Sequence, residues 1–240
     1  MNPNKREVTP TLFSSKHSKR SKHNKYTHVF YVKQKKKKKE KNFYQPTDYT
    51  ENTSNHLIYK EAMKYVDKKI NAIDVGCRDG EFTRYLTWGF NHVYCFDYRK
   101  RKQFAMNIDV TGKQITHYQY PLGKDLHLEA PSGRGNFRNP VLDVLYVDKP
   151  EINVYPLDYF KLKDVNLIKI DVDGMDKEVV QGAVETINKY KPVIIIEEVI
   201  MDGGILNHNG VEYIKSLGYE TVHIHESHPV HKDYILAPSN

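Results

Sequence analysis

Apolar runs and amphipathic stretches alternate along this chain, and the alternation begins only after Tyr44. Leu57, Ile58, Met63, Tyr65 and Val66 recur at helical spacing and predict a helix over about 55–69. Residues 72–75 then read as a short apolar strand, 81–88 as a helix, 93–96 as a second strand and 115–120 as a third. Residues 167–170 and 193–196 have the unbroken apolar character of buried strands, and a helix over about 177–189 separates them. A helix over 211–217 stops at Gly218, and strands at 221–224 and 233–236 close the chain as an antiparallel pair. The pattern predicts an α/β fold of Rossmann-like type: a mostly parallel, seven-stranded sheet with helices on both faces. Residues 125–155 break the rhythm with short alternating runs and a Gly-rich loop at 132–136, and are read as an insertion carrying a small hairpin.

Charge divides the chain in two. Residues 1–45 hold fourteen of the 37 Lys/Arg and two of the 30 Asp/Glu, a net of +12, which leaves the remainder at −5. This segment, with its lysine run at 35–39, has too few apolar residues to offset the entropy of ordering it. It is expected to be a disordered basic tail, with 29–32 as its one candidate strand. Residues 46–240 form the domain, with a core of about 71–237. The lysines suit nucleic acid, a membrane surface, a nuclear address or a simple solvated arm. The acidic domain itself has no field to gather polyanions.

The longest apolar run, at 192–196, is far short of the roughly 20 residues of a membrane span. No signal-like stretch opens the chain. Cys77 and Cys95 stand in no metal or redox spacing and read as free thiols. The expected setting is a reducing, cytoplasmic one, with the nucleus left open by the lysines.

Three motifs carry candidate chemistry. Asp74-Val75-Gly76-Cys77-Arg78-Asp79-Gly80 links a strand to a helix, and its glycines permit a tight turn and a close approach to a ligand. Arg78 stands where a dinucleotide-binding loop has its middle glycine, which argues against NAD and FAD and suits the methionine part of S-adenosylmethionine. Asp97 ends the next strand about 20 residues on, where a carboxylate binds ribose hydroxyls, and Tyr98 could lie beside adenine. The third motif runs from Leu167 to Ala183. Its strand delivers Asp171 and Asp173 to the same edge, and Glu197 ends the following strand. Buried carboxylates are costly without a role; they bind an ammonium, orient a nucleophile, accept its proton or hold a metal.

The stretch 71–237 resembles the FkbM-family methyltransferases. The resemblance rests on Asp74-Val75-Gly76 with Gly80, on Asp97, on Leu157-Asp158, on the block from Lys169 to Ala183 and on Glu197. Asp173 and Asp176 depart from the family's glutamates, and Arg78 from its usual asparagine. The resemblance implies a class I methyltransferase fold and methyl transfer from S-adenosylmethionine to an oxygen of a small molecule or sugar. On that reading Asp74, Gly76, Arg78, Gly80, Asp97, Tyr98 and Asp171 hold the cofactor, and Asp171 orients the acceptor or acts as base. Glu197 and Lys169 are further catalytic candidates, with structural pairing the preferred role for Lys169.

His223, His225, His228 and His231 suggest a metal cluster, but no spaced His-carboxylate or cysteine motif completes it, and no metal is expected there or at the acidic strand ends. Two rivals stay open. One is an RNA 2′-O-methyltransferase that holds RNA with the tail. The other is a non-catalytic binding protein that keeps the fold.

Overall fold

The computed structural model describes residues 29–31, 53–99, 102–108, 114–129, 151–172, 174–201, 204–205, 210–228 and 231–239. The strands are β1 (Val29–Tyr31), β2 (Asn71–Val75), β3 (His92–Phe96), β4 (Gln114–Tyr118), β5 (His127–Glu129), β6 (Ile152–Val154), β7 (Val165–Ile170), β8 (Val193–Met201), β9 (Gly204–Ile205), β10 (Tyr219–His228) and β11 (His231–Pro238). The helices are α1 (Ser54–Ala62), α2 (Glu81–Gly89), α3 (Lys102–Ile108), α4 (Asp176–Gln181), α5 (Val184–Tyr190) and α6 (Gly210–Ser216).

Seven strands make the expected sheet, in the order β4-β3-β2-β7-β8-β11-β10. The first five run parallel, β11 enters antiparallel beside β8, and β10 pairs antiparallel with β11. Two short strands extend it: β1 lies antiparallel on β4, and β9 on β8. Strand β1 falls inside the stretch read as a tail; residues 1–28 and 32–45, with the lysine run, lie outside the described residues.

Strict alternation along the buried strands divides the core into two layers. Ile73, Val75, Ile168, Ile170, Ile194 and Ile196 pack on one face with Val179 and Val180 of α4, Ile187 of α5 and Ile214 of α6. Ala72, Cys95, Leu167 and Ile195 face the other way, onto Ile58 of α1, Phe82, Tyr85 and Leu86 of α2 and Phe104 of α3.

Several elements differ from the sequence reading. The first helix ends at Ala62, short of 69. The helix expected over 177–189 breaks into α4 and α5 at Gly182-Ala183. Gly182 sits against the backbone of Gly123 and Pro156, and a Cβ there would run into the Gly123 carbonyl oxygen. Helix α3 had no clear apolar period. In the insertion, β5 and β6 form an antiparallel pair, and residues 130–150 between them lie outside the described residues.

Asp158, part of the Leu157-Asp158 signature, has a structural task. Its carboxylate accepts the backbone N–H of Glu185 (2.9 Å) and of Thr186 (2.9 Å) and the Thr186 hydroxyl (2.6 Å), which satisfies the first turn of α5. Asp158→Ala is expected to cost about 2 kcal/mol, the upper range for a lost helix cap, and to lower the thermal midpoint by roughly 5 °C in a melting experiment.

Candidate active site

The turn after β2 is shaped by residues of positive φ. Gly76 has φ 80°, Arg78 φ 44° and Gly80 φ 79°. The loop is pinned from below, as the N–H groups of Gly76 (2.8 Å) and Cys77 (3.3 Å) donate to the Phe96 carbonyl. A Cβ at Gly76 would run into the carbonyl oxygen of Asp171, so the loop and the end of β7 are in close contact. Arg78 adopts a backbone conformation that asparagine tolerates more readily. Its N–H donates to Asp97 Oδ2 (3.0 Å), and the Arg99 N–H donates to Asp97 Oδ1 (2.8 Å). Asp97 therefore fastens the glycine loop to the end of β3.

Parity brings the charged residues together. Asp74 and Lys169 are register partners on β2 and β7, and both point to the α2 side of the sheet. Asp171 and Glu197 follow in the same parity, each just past the buried run of its strand. Because β11 runs antiparallel, its first residues return to this edge, with Asp233 opposite Glu197.

Asp74 is fully buried. Its Oδ2 accepts the Thr83 hydroxyl at 2.5 Å, while Oδ1 has no hydrogen-bond partner among the described residues. Burial raises its pKa, against the pull of Lys169. Lys169, 6% exposed, donates to Asp171 Oδ2 at 2.7 Å and lies 5.2 Å from the Phe82 ring centre. Burial opposes its charge, but Asp171, Asp74 and Asp233 outweigh burial and raise its pKa. Burial works against the Asp171 carboxylate too, yet Lys169 holds it below its ordinary value. Glu197 Oε1 meets His231 Nδ1 at 2.8 Å; burial first, and Asp171 second, push this carboxyl up to about 7. Burial likewise lifts Asp233 to about 6.

A cavity of about 150 Å³ opens over this cluster. It is lined by Asp74, Gly76, Cys77, Arg78, Asp79 and the Asp171–Lys169 pair, with Phe82, Glu81 and Asn55 around them. Five of the residues singled out in the sequence thus share one wall: Asp74, Gly76, Arg78, Lys169 and Asp171. Gly80 and Asp97 support the loop from behind. Glu197 adjoins Asp171 but is not among the lining residues. Tyr98 stacks under the Arg99 guanidinium (5.0 Å) and packs with Val154 and Met175, away from this lining. Asp173 lies outside the described residues.

Asp176 has a bracing role: it accepts the N–H groups of Val172 (3.2 Å) and Gly174 (3.2 Å) and holds the turn into α4. Burial pushes its carboxyl up to about 7. Cys77 and Cys95 are free and buried. Among the described residues no group of three His, Cys, Asp or Glu could hold a metal ion, and no helix is long and apolar enough to cross a membrane. Thr83, Asp233 and His231 were not singled out for this site from the sequence; the alternation His231-x-Asp233-x-Ile235 was the available signal.

Three of the raised acids, Asp233, Glu197 and Asp176, set a pH dependence near neutrality. A carboxyl whose folded pKa exceeds its unfolded value contributes stability that is full below the unfolded pKa and lost as pH rises through the folded one. For Asp233, Glu197 and Asp176 that window runs from about 4 to about 7. The lowered Asp171 acts in the opposite sense, below the ordinary carboxylate range. The thermal midpoint is therefore expected to fall by roughly 5 °C between pH 5 and pH 8, and a flat profile would contradict the burial of these acids.

A family model described as the Methyltransferase FkbM domain matches residues 74–221. Among solved structures, the chain is similar to a methyltransferase FkbM from Methylobacillus flagellatus KT, at 16% identity and a TM-score of 0.49, over 70% of this chain and 43% of that one. The match thus spans less than half of that protein. The chain is also similar to an rRNA methylase from Streptococcus thermophilus, at 12% identity and a TM-score of 0.50, over 79% of this chain and 98% of that one. A third likeness is to TrmK of M. capricolum in complex with its natural cofactor product S-adenosyl-homocysteine, at 12% identity and a TM-score of 0.46, over 76% and 68% of the two chains. No curated protein sequence matches significantly. The rRNA methylase likeness supports the fold alone.

Proposed function

This chain belongs to the FkbM methyltransferase family, and from that premise we propose that it transfers the methyl group of S-adenosylmethionine to an oxygen of a small-molecule or sugar acceptor. The observation that carries the reading is the buried, unpartnered Oδ1 of Asp74 beside a cavity at the carboxyl edge of the sheet. A buried acceptor without a donor is costly, and an ammonium group supplies the donor. The fit extends to charge, because the wall holds Asp74, Asp79, Glu81 and Asp171 against Lys169 and Arg78, an acidic balance suited to a cationic ligand.

In this reading Gly76 lets the backbone turn beside the ligand, Gly80 lets the loop pack on Phe104 and Ile108, and Arg78 holds the loop through its N–H to Asp97. Asp97 and Tyr98, at the end of β3, take the ribose and the adenine beyond the lining of the cavity. When bound, the cofactor supplies a methyl carbon activated by positive sulfur. The protein has two tasks: to align the acceptor oxygen and to take its proton. Asp171, held ionised by Lys169, is a weak base and a good orienting acceptor. Glu197, with a carboxyl near 7, is matched to taking a proton at neutral pH. Lys169 positions Asp171. Residues 46–240 carry this activity, and Val29–Tyr31 of the basic stretch before them adds an edge strand to the sheet.

The test uses S-adenosylmethionine labelled in its methyl group, offered with a panel of sugars and phenols and, separately, with RNA transcripts. Label is expected in the low-molecular-weight fraction and resistant to base, as an ether is. Label in RNA would replace the acceptor class, and cofactor binding without label in any fraction would favour a non-catalytic protein.

A further inference from the structure

We infer that Glu197 and His231 form a proton-transfer pair through which cofactor binding releases a proton, leaving Glu197 ionised before the acceptor arrives. The inference rests on the cofactor reading above and goes beyond it. Its geometric basis is a graded path. Asp171 lines the cavity, Glu197 follows it on the neighbouring strand, and His231 on β11 meets Glu197 at 2.8 Å. The Glu197 side chain is 18% exposed and that of His231 is 40% exposed, so the pair leads from the covered edge of the sheet to solvent.

The groups facing Glu197 are all of one face. From β7 come Asp171 and, one step back, Lys169; from β11 come His231 and Asp233. Asp74 on β2 and Arg78 in the glycine loop lie beyond Asp171 and act on it electrostatically. Burial first, and then Asp171 and Asp233, disfavour a carboxylate at Glu197, so at neutral pH that carboxyl holds a proton part of the time. A cation bound beside Asp171 offsets the Asp171 part of that bias and lowers the pKa of Glu197. The O–H bond of Glu197 breaks, the proton passes to His231 Nδ1, and the imidazole gives up its other ring proton to water. The products are the carboxylate, neutral imidazole and one solvated proton.

The experiment is calorimetric titration of the full chain with S-adenosylmethionine at pH 7, in two buffers of different ionisation enthalpy. The difference in heat gives the protons exchanged. The ligand's own α-amino group titrates near 7.7–8.0, so wild type is read against Glu197→Gln. Wild type is expected to release up to about half a proton more than Glu197→Gln, because a carboxyl near 7 is half protonated there. His231→Gln, which removes the imidazole but not the carboxyl, is expected to move the pH of maximal release upward. A merely structural histidine would leave that pH unchanged. Saturable binding with equal proton counts in wild type and Glu197→Gln overturns the inference and leaves the cofactor reading standing. Should Glu197→Gln fail to fold, a wild-type release that does not vary from pH 6 to pH 8, or an unchanged profile in His231→Gln, overturns it equally. Absence of binding by folded wild type overturns both.

Discussion

Gly76→Ala is expected to abolish cofactor binding and to lower the thermal midpoint by roughly 10 °C. Two costs combine at this position. The backbone has φ 80°, and an added Cβ would occupy the place of the Asp171 carbonyl oxygen. Left-handed backbone costs a non-glycine residue about 1–2 kcal/mol. Overpacking against rigid backbone costs a further 1–3 kcal/mol or so. A sum of about 3 kcal/mol corresponds to roughly 10 °C in a domain of this size. Gly218→Ala is the control. Gly218 has φ 85° but nothing among the described residues within 4 Å of the added atom, so only the backbone cost applies. A loss of roughly 3 °C is expected there. Equal losses at the two positions would mean that the contact between the glycine loop and β7 does not constrain the fold.

Lys169→Met carries the second large effect. The lysine is buried among Asp171, Asp74 and Asp233, and removing it leaves carboxylates facing one another without a cation. Breaking one side of a buried ion cluster typically costs about 3–5 kcal/mol, or roughly 10 °C here. The pH dependence separates this from lost packing on Phe82. In wild type the raised lysine pKa means its contribution is present across the whole range below its ordinary value and disappears only in strong alkali. In the variant the carboxyls titrate upward, so stability is lost as pH rises through their raised values. The gap between variant and wild type should be wide at pH 8 and narrow at pH 5. A gap of constant width would show that Lys169 acts by packing alone.

Much of this arrangement was legible in the sequence because it depends on local signals. The glycines around Arg78 announced a strained turn, and the unbroken apolar runs at 167–170 and 193–196 announced central parallel strands. From there the position of Asp74, Asp97, Asp171 and Glu197 at one edge follows from the topology. The hidden parts depend on tertiary contact. Nothing near Gly182 in the chain shows that Gly123 presses on it, so the break between α4 and α5 could not be read. Asp158 and Asp176 looked like members of a chemical signature, but they fasten helix starts and turns. His231 and Asp233 reach the site because β11 runs antiparallel between β8 and β10. Their shared parity with Ile235 was visible, but the strand opposite them was not.

Calorimetric titration of the full chain with S-adenosylmethionine, wild type beside Asp97→Ala, tests the central claim most directly. Saturable binding to wild type is expected, with binding at least about tenfold weaker in the variant, because Asp97 anchors the loop through Arg78 and is proposed to face the ribose. Folded wild-type protein that shows no saturable binding would contradict that claim.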